Sequence, residues 1–114
     1  MEQWKIIKDY PNYLISSMGN VKRLNYRHTR KEQILKSGFN SRGYLNVSLV
    51  NKKGKNNFLI HRLVAEAYIP NPTPKLRKQI DHINGDKTDN RVENLRWVTA
   101  LENCNNPNTH KKCT

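Results

Sequence analysis

Acidic residues are scarce in this chain of 114 residues: nine Asp and Glu stand against 21 Lys and Arg, for a formal charge of +12. Ordinary solubilising charge is closer to balance, so the deficit points to a polyanionic partner, nucleic acid first. Cysteine is nearly absent. Cys104 and Cys113 stand late in the chain and outside any paired metal-binding spacing. A structural zinc site takes about four ligands, which excludes a zinc finger, and the shortage of thiols fits a reducing cytoplasm. Long apolar runs are missing too: no window reaches the ~20 residues of a membrane span, and Met1 is not followed by an apolar secretory segment. The expectation is a soluble protein with no membrane partner. With 35% hydrophobic residues, the chain has material for one compact unit, or two very small modules sharing one core. A core this small gains from a metal, DNA or a partner.

The charge that is present is unevenly placed. Residues 1–60 hold twelve Lys/Arg and three acids, residues 61–114 nine and six. The front half therefore reads as a docking surface, and the back half is where acids gather. Only Glu32 offsets ten Lys/Arg between residues 10 and 60. A solvated face is the alternative, but phosphate contacts are favoured for Lys22, Arg23, Arg27, Arg42, Lys52, Lys53 and Lys55. Such contacts position a protein without reading sequence. A β-ribbon over residues 44–60 could enter a groove, with Arg42, Tyr44, Asn46 or Ser48 at base edges.

Short β-prone runs fill that half. Trp4–Ile7 and Tyr13–Ser16 flank the turn-like Asp9-Tyr10-Pro11-Asn12, and Gly19-Asn20 turns into Val21–Leu24. Leu45, Val47 and Leu49 alternate with polar neighbours, the period of a half-buried strand, and residues 51–55 turn into Phe58-Leu59-Ile60. Leu63, Val64, Ala67 and Tyr68 then fall at helical spacing until Pro70. Residues 71–78 form a polar connection. The organisation expected is a basic β-rich region over 1–60, a second region over 61–106 with its preceding helix, and a loose tail over 107–114.

The second region predicts strand (80–83), polar loop, strand (95–98) and short helix. Asn90 with Glu93, and Thr99 with Glu102, have capping-box spacing. An antiparallel pair followed by a packed helix can bring Asp81 close to Asn103. A carboxylate and an amide oxygen are hard ligands, suited to Mg²⁺ or Mn²⁺ more than to Zn²⁺, and so short a ligand list leaves positions for water and phosphate oxygens.

The run Asp81-His82-Ile83-Asn84-Gly85-Asp86-Lys87-Thr88-Asp89-Asn90, with Asn94-Leu95-Arg96-Trp97-Val98-Thr99 and Glu102-Asn103, resembles the ββα-metal motif of HNH (His-Me finger) endonucleases. The branch it is most similar to is the one of bacteriophages and phage introns. His61–Pro70 resembles the helix preceding that motif. Trp4, Tyr13, Ser16, Gly19 and Val21-Lys22 resemble a modular DNA-binding motif joined to such nucleases. The fold class this implies is α+β, an antiparallel β region followed by a ββα-metal core.

By that resemblance Asp81 and Asn103 are metal ligands, His82 is the general base, and Asn94 fastens the loop and orients the His82 backbone. Asn103 stands where the family name has a third histidine. Taken alone, His82 would be a surface or satisfied core residue, Asp81 a turn-starting acid, Asn94 a turn former and Asn103 an ordinary helix-end residue. Their spacing is what groups them. His61 would contact phosphate at the site edge or merely start the helix, with Arg62 beside it on the DNA side. Glu102 reads as structural, and Asp86 and Asp89 as turn residues. The resemblance further implies a divalent cofactor, Mg²⁺ first and Mn²⁺ as the alternative. Double-stranded DNA would be the partner, nicked by a monomer or cut on both strands by a dimer, in the cytoplasm of a bacterial host and from a phage gene. Related intron nucleases carry a further helical DNA-binding region, so long-site specificity is not expected. The rival readings are a nucleic-acid-binding module without catalysis and a degenerate nuclease kept as a partner-binding piece.

Overall fold

In the computed structural model, which describes residues 2–25 and 31–104, antiparallel strands dominate the front of the chain. Strands β1 (Trp4–Ile7), β2 (Tyr10–Ser16), β3 (Val21–Asn25) and β4 (Lys31–Ile34) pair in chain order as one meander. Strands β5 (Gly38–Phe39), β6 (Leu45–Asn51) and β7 (Gly54–Leu59) make a second sheet. Helix α1 (Ile60–Tyr68) leads to the hairpin β8 (Gln79–His82) and β9 (Leu95–Val98), then to α2 (Ala100–Cys104). The architecture is α+β, as expected.

Alternation explains which faces are buried. On β2, Tyr13 and Ile15 turn inward, and on β6 Val47 and Leu49 do, while Ser48 and Val50 stay exposed. These side chains meet Ile60, Leu63 and Val64 of α1, and Ile80 and Leu95 of the β8–β9 hairpin, in a single cluster. The two halves therefore share one core. Helix α1 ties them with polar bonds as well. The Tyr68 hydroxyl shares its proton between the carbonyls of Gln3 and Ile15 (3.0 and 2.8 Å), and Trp97 Nε1 donates to the Ile69 carbonyl at 2.9 Å.

Three local expectations are revised. The strand expected from Tyr13 begins at Tyr10, because the Tyr10 ring is buried edge-on against Phe58 at 5.1 Å and its hydroxyl accepts from Asn56 Nδ2. The turn shrinks to Lys8-Asp9, where Asp9 takes φ 67°. The helix expected over His61–Pro70 runs from Ile60 to Tyr68, and the fully buried Ile60 side chain leads the apolar stripe through Leu63 and Val64. The Asn90–Glu93 capping box does not form: the 3₁₀ turn Val92–Asn94 follows Arg91 without a side-chain cap, and Glu93 pairs with Arg91 at 3.2 Å. By contrast, the Thr99–Glu102 box is complete. Thr99 N donates to Glu102 Oε1 (2.9 Å), and Glu102 N to Thr99 Oγ1 (3.1 Å). Arg27, His28, His110, Cys113 and the expected tail 107–114 lie outside the described residues.

Candidate functional site

The β8–β9 hairpin presents Asp81 and His82 at its loop end, with Asp81 opposite Arg96 and His82 opposite Leu95. Asp81 is buried, and its Oδ2 accepts from Arg96 Nε at 2.9 Å. The Arg96 side chain is half exposed, so one end of this pair faces solvent. His82 is also buried, with Nε2 at 2.8 Å from Asn90 Oδ1. An amide oxygen only accepts, so this contact suits the tautomer that carries the proton on Nε2. Burial holds the imidazole below its ordinary value of 6.5, outweighing the Asn90 bond and the charges of Asp81, Asp86 and Asp89, which act the other way.

The loop between the strands is pinned from below by Asn94. Its Oδ1 accepts from Asn84 N (3.0 Å), and its Nδ2 donates to Asn84 Oδ1 (3.0 Å) and to the Asp89 carbonyl (2.9 Å). Ile83 N adds a bond to the Asn94 carbonyl at 2.8 Å. Asp89, gripped by the Arg91 guanidinium, has its carboxyl lowered to about 2. Asn103 reaches the site from α2. Its Nδ2 donates to Gln79 Oε1 at 3.0 Å, which turns the amide oxygen away from Gln79.

Asp81, His82 and Asn103 line one small cleft with Tyr44, Gly85 and Lys87, of about 20 Å³. That is room for one water-sized occupant. Among the described residues no three His, Cys, Asp or Glu side chains gather as a metal cluster. The cleft does bring together one carboxylate, Asp81, and one amide, Asn103, and hard oxygens of this kind would fit Mg²⁺ or Mn²⁺ and leave coordination open. A much larger groove, about 890 Å³, runs between β1–β2 and β6–β7, but neither Asp81, His82 nor Asn103 lines it.

Comparison with known proteins agrees with this geometry. Residues 58–104 match the family model "HNH endonuclease", and residues 2–50 match the NUMOD4 motif. Residues 58–104 belong to the HNH endonuclease family. The solved structure of DNA binding and cleavage by the HNH homing endonuclease I-HmuI superposes with a TM-score of 0.77 at 31% identity, covering 96% of this chain and 61% of that one. In sequence, the DNA endonuclease I-HmuI of Bacillus phage SP01 is 37% identical over 91% of this chain and 56% of its own length. The uncharacterized HNH endonuclease L247 of Acanthamoeba polyphaga mimivirus is 45% identical over 90% of this chain but only 25% of its own length. This HNH chain thus spans from a quarter to about half of those two relatives. They include a giant virus as well as a phage, a wider set than the phage branch the motif resembles.

Other residues singled out in the HNH chain are differently employed. Lys52, Lys53 and Lys55 are exposed around the β6–β7 turn, and Arg23 and Arg42 are exposed as well. Lys22, in contrast, pairs with Glu32 at 2.9 Å and lies over the Trp4 ring. Arg62 donates to the Lys78 carbonyl and lies over Trp97. His61 is buried on α1, its ring 5.0 Å from His82 and 5.1 Å from Tyr44. Tyr44 itself stands 5.8 Å from His82, inside the cleft rather than out on a ribbon.

Three residues at the site escape sequence reasoning. Asn90 was legible only as a cap. Arg96 stands opposite Asp81, a register that follows once the hairpin is paired. Lys87 donates to the Arg42 carbonyl at 2.9 Å and lies over the Tyr44 ring, bringing a cation to the cleft wall. No spacing rule marks a loop lysine for that place.

Proposed function

We propose that this chain is a metal-dependent DNA endonuclease that hydrolyses phosphodiester bonds and nicks double-stranded DNA. The observation that carries the reading is the buried His82 ring, oriented by Asn90, in one cleft with Asp81 and Asn103. His82 Nδ1 takes a proton from water as the water oxygen bonds to phosphorus, and the bond from phosphorus to the 3′ oxygen breaks. Asp81 and Asn103 would hold a divalent cation, Mg²⁺ in the first place. When bound, that ion supplies positive charge beside the reacting phosphate and the departing oxygen. Asn94 keeps the 84–89 loop, and with it the His82 end of β8, in one conformation. In this reading residues 1–60 dock the duplex, residues 61–106 cut it, and one chain makes one nick in the cytoplasm of a host cell.

The test is a supercoiled plasmid incubated with Mg²⁺ and, in parallel, with a chelator. Open-circular product that appears only with the ion is expected. DNA binding with a plasmid left supercoiled under every ion would leave a binding module instead, and linear product from the first turnover would replace nicking by paired cuts.

Two further outcomes follow. Burial lowers the His82 pKa, so the ring is neutral through the neutral range and the rate should be flat there. It should fall only as pH drops below 6.5, the ordinary imidazole value. A rate already falling between pH 8 and 7, with DNA and metal saturating, would remove His82 as the base. The exposed Lys52, Lys53 and Lys55 should contribute phosphate contacts, giving a log K against log salt slope of about −0.9 per contact. Replacing all three with Gln should flatten that slope; an unchanged slope would move the DNA surface off the β6–β7 turn.

A further inference from the structure

The β2–β3 turn, in the segment that matches NUMOD4, abuts the residue that orients His82. Gly19 has φ +86°, and a Cβ built on it would come within 2.8 Å of Asn90 Cβ and 3.2 Å of the Asn90 carbonyl oxygen. These are a main-chain atom and the root of a side chain, not a flexible tip, so nothing larger than glycine fits unless Asn90 moves. Two residues further on, Val92 N donates to the Ser17 carbonyl at 3.0 Å. The turn therefore touches the 90–92 segment by both packing and a hydrogen bond. It is stiff on its own account. Ser16 is fully buried, and its Oγ accepts from Met18 N (3.2 Å) and Asn20 N (2.9 Å). Ser16 N donates to the Asn20 carbonyl (2.8 Å), and Gly19 N to the Ser16 carbonyl (3.1 Å). Ser17 exchanges two bonds with Gln3, each of 2.9 Å.

We propose that this turn, residues 16–20, is the seat that holds Asn90, and through Asn90 the His82 ring, in its working orientation. Gly19 is a positioning residue. The front segment then contributes to the rate of cleavage and not only to the grip on DNA. The proposal rests on the reading of His82 as the base. Asn90 is buried and bonded to His82 at 2.8 Å, so displacement of its backbone has no slack to disappear into. A misplacement of about 1 Å at a reacting group can cost on the order of 10²-fold in rate.

The experiment compares Gly19→Ala, Asn90→Ala and the double variant. Single-turnover cleavage, DNA affinity without divalent metal, thermal unfolding and the ¹⁵N–¹H spectrum of histidine-labelled, metal-free protein would be measured. Gly19→Ala should cleave roughly 10²-fold more slowly, bind DNA like the parent, and shift or lose the His82 Nε2–H signal. The double variant should be no slower than Asn90→Ala, because both changes act through one amide. If Gly19→Ala does not fold, Ser16→Ala carries the test: it removes the acceptor of two turn bonds without adding an atom beside Asn90, and it should perturb the same ring signal. A folded Gly19→Ala with the parent rate and an unaltered His82 signal overturns the proposal, as do losses that add in the double variant. If His82→Ala still cleaves like the parent, the base assignment falls. A perturbed ring signal in metal-free Gly19→Ala would still uphold the seat.

Discussion

His82→Ala should cleave about 10²–10⁴-fold more slowly than the parent while binding divalent ions as before. The substitution removes the proposed proton acceptor and leaves both proposed oxygen donors, Asp81 and Asn103, in place. Asp81→Asn should fail differently. It keeps the volume of a fully buried side chain but takes away the only charge in the donor pair, and a neutral amide competes weakly for a strongly hydrated ion. Metal affinity and cleavage should therefore fall together, and excess Mg²⁺ should partly restore Asp81→Asn while doing nothing for His82→Ala. Both variants should bind DNA normally, because the exposed lysines of the β6–β7 turn are untouched. Cleavage measured against divalent concentration for each variant decides the matter. Rescue of His82→Ala by metal, with Asp81→Asn dead at every concentration, would exchange the two roles.

Leu49→Ala should destabilise the whole chain by about 2–5 kcal/mol, although Leu49 belongs to the front segment and makes no part of the cleft. Its side chain is fully buried on β6 and lies in one cluster with Ile80 and Leu95 of the site hairpin. Loss of its methyl groups leaves a cavity that borders both halves. Single-tryptophan variants retaining Trp4 on β1 or Trp97 on β9 provide one reporter in each. Both should melt in one transition, shifted by the same amount. Separate transitions, with Trp97 unaffected by Leu49→Ala, would mean that the halves are independent domains.

The sequence was informative wherever local chemistry and structure coincide. Alternation in β2 and β6, the apolar stripe of α1 and the Thr99–Glu102 box are local patterns, and each formed. The grouping of Asp81, His82, Asn94 and Asn103 was legible because a short hairpin and the following helix leave few ways to arrange them. What escaped depends on contacts distant in the chain. Asn90 has a cap's spacing, but the buried His82 ring captures its side-chain oxygen, and a buried amide is better satisfied there than at a solvated turn. Tyr44 looked like a groove reader because the 44–60 ribbon carries Lys52, Lys53 and Lys55, yet its ring packs with His61 and His82. Lys22 looked available for phosphate, but Glu32, which the chain count treated as a lone acid, sits within its reach across β3 and β4.

The Arg96–Asp81 pair bears on how the site would meet a polyanion. A bare carboxylate at the floor of a DNA-cleaving cleft would repel the very phosphodiester it is meant to receive, most strongly before any cation has arrived. Asp81 instead comes with a tethered counterion from the neighbouring strand, whose guanidinium side chain is half exposed. An approaching polyanion would therefore meet Asp81 with its charge already matched by Arg96.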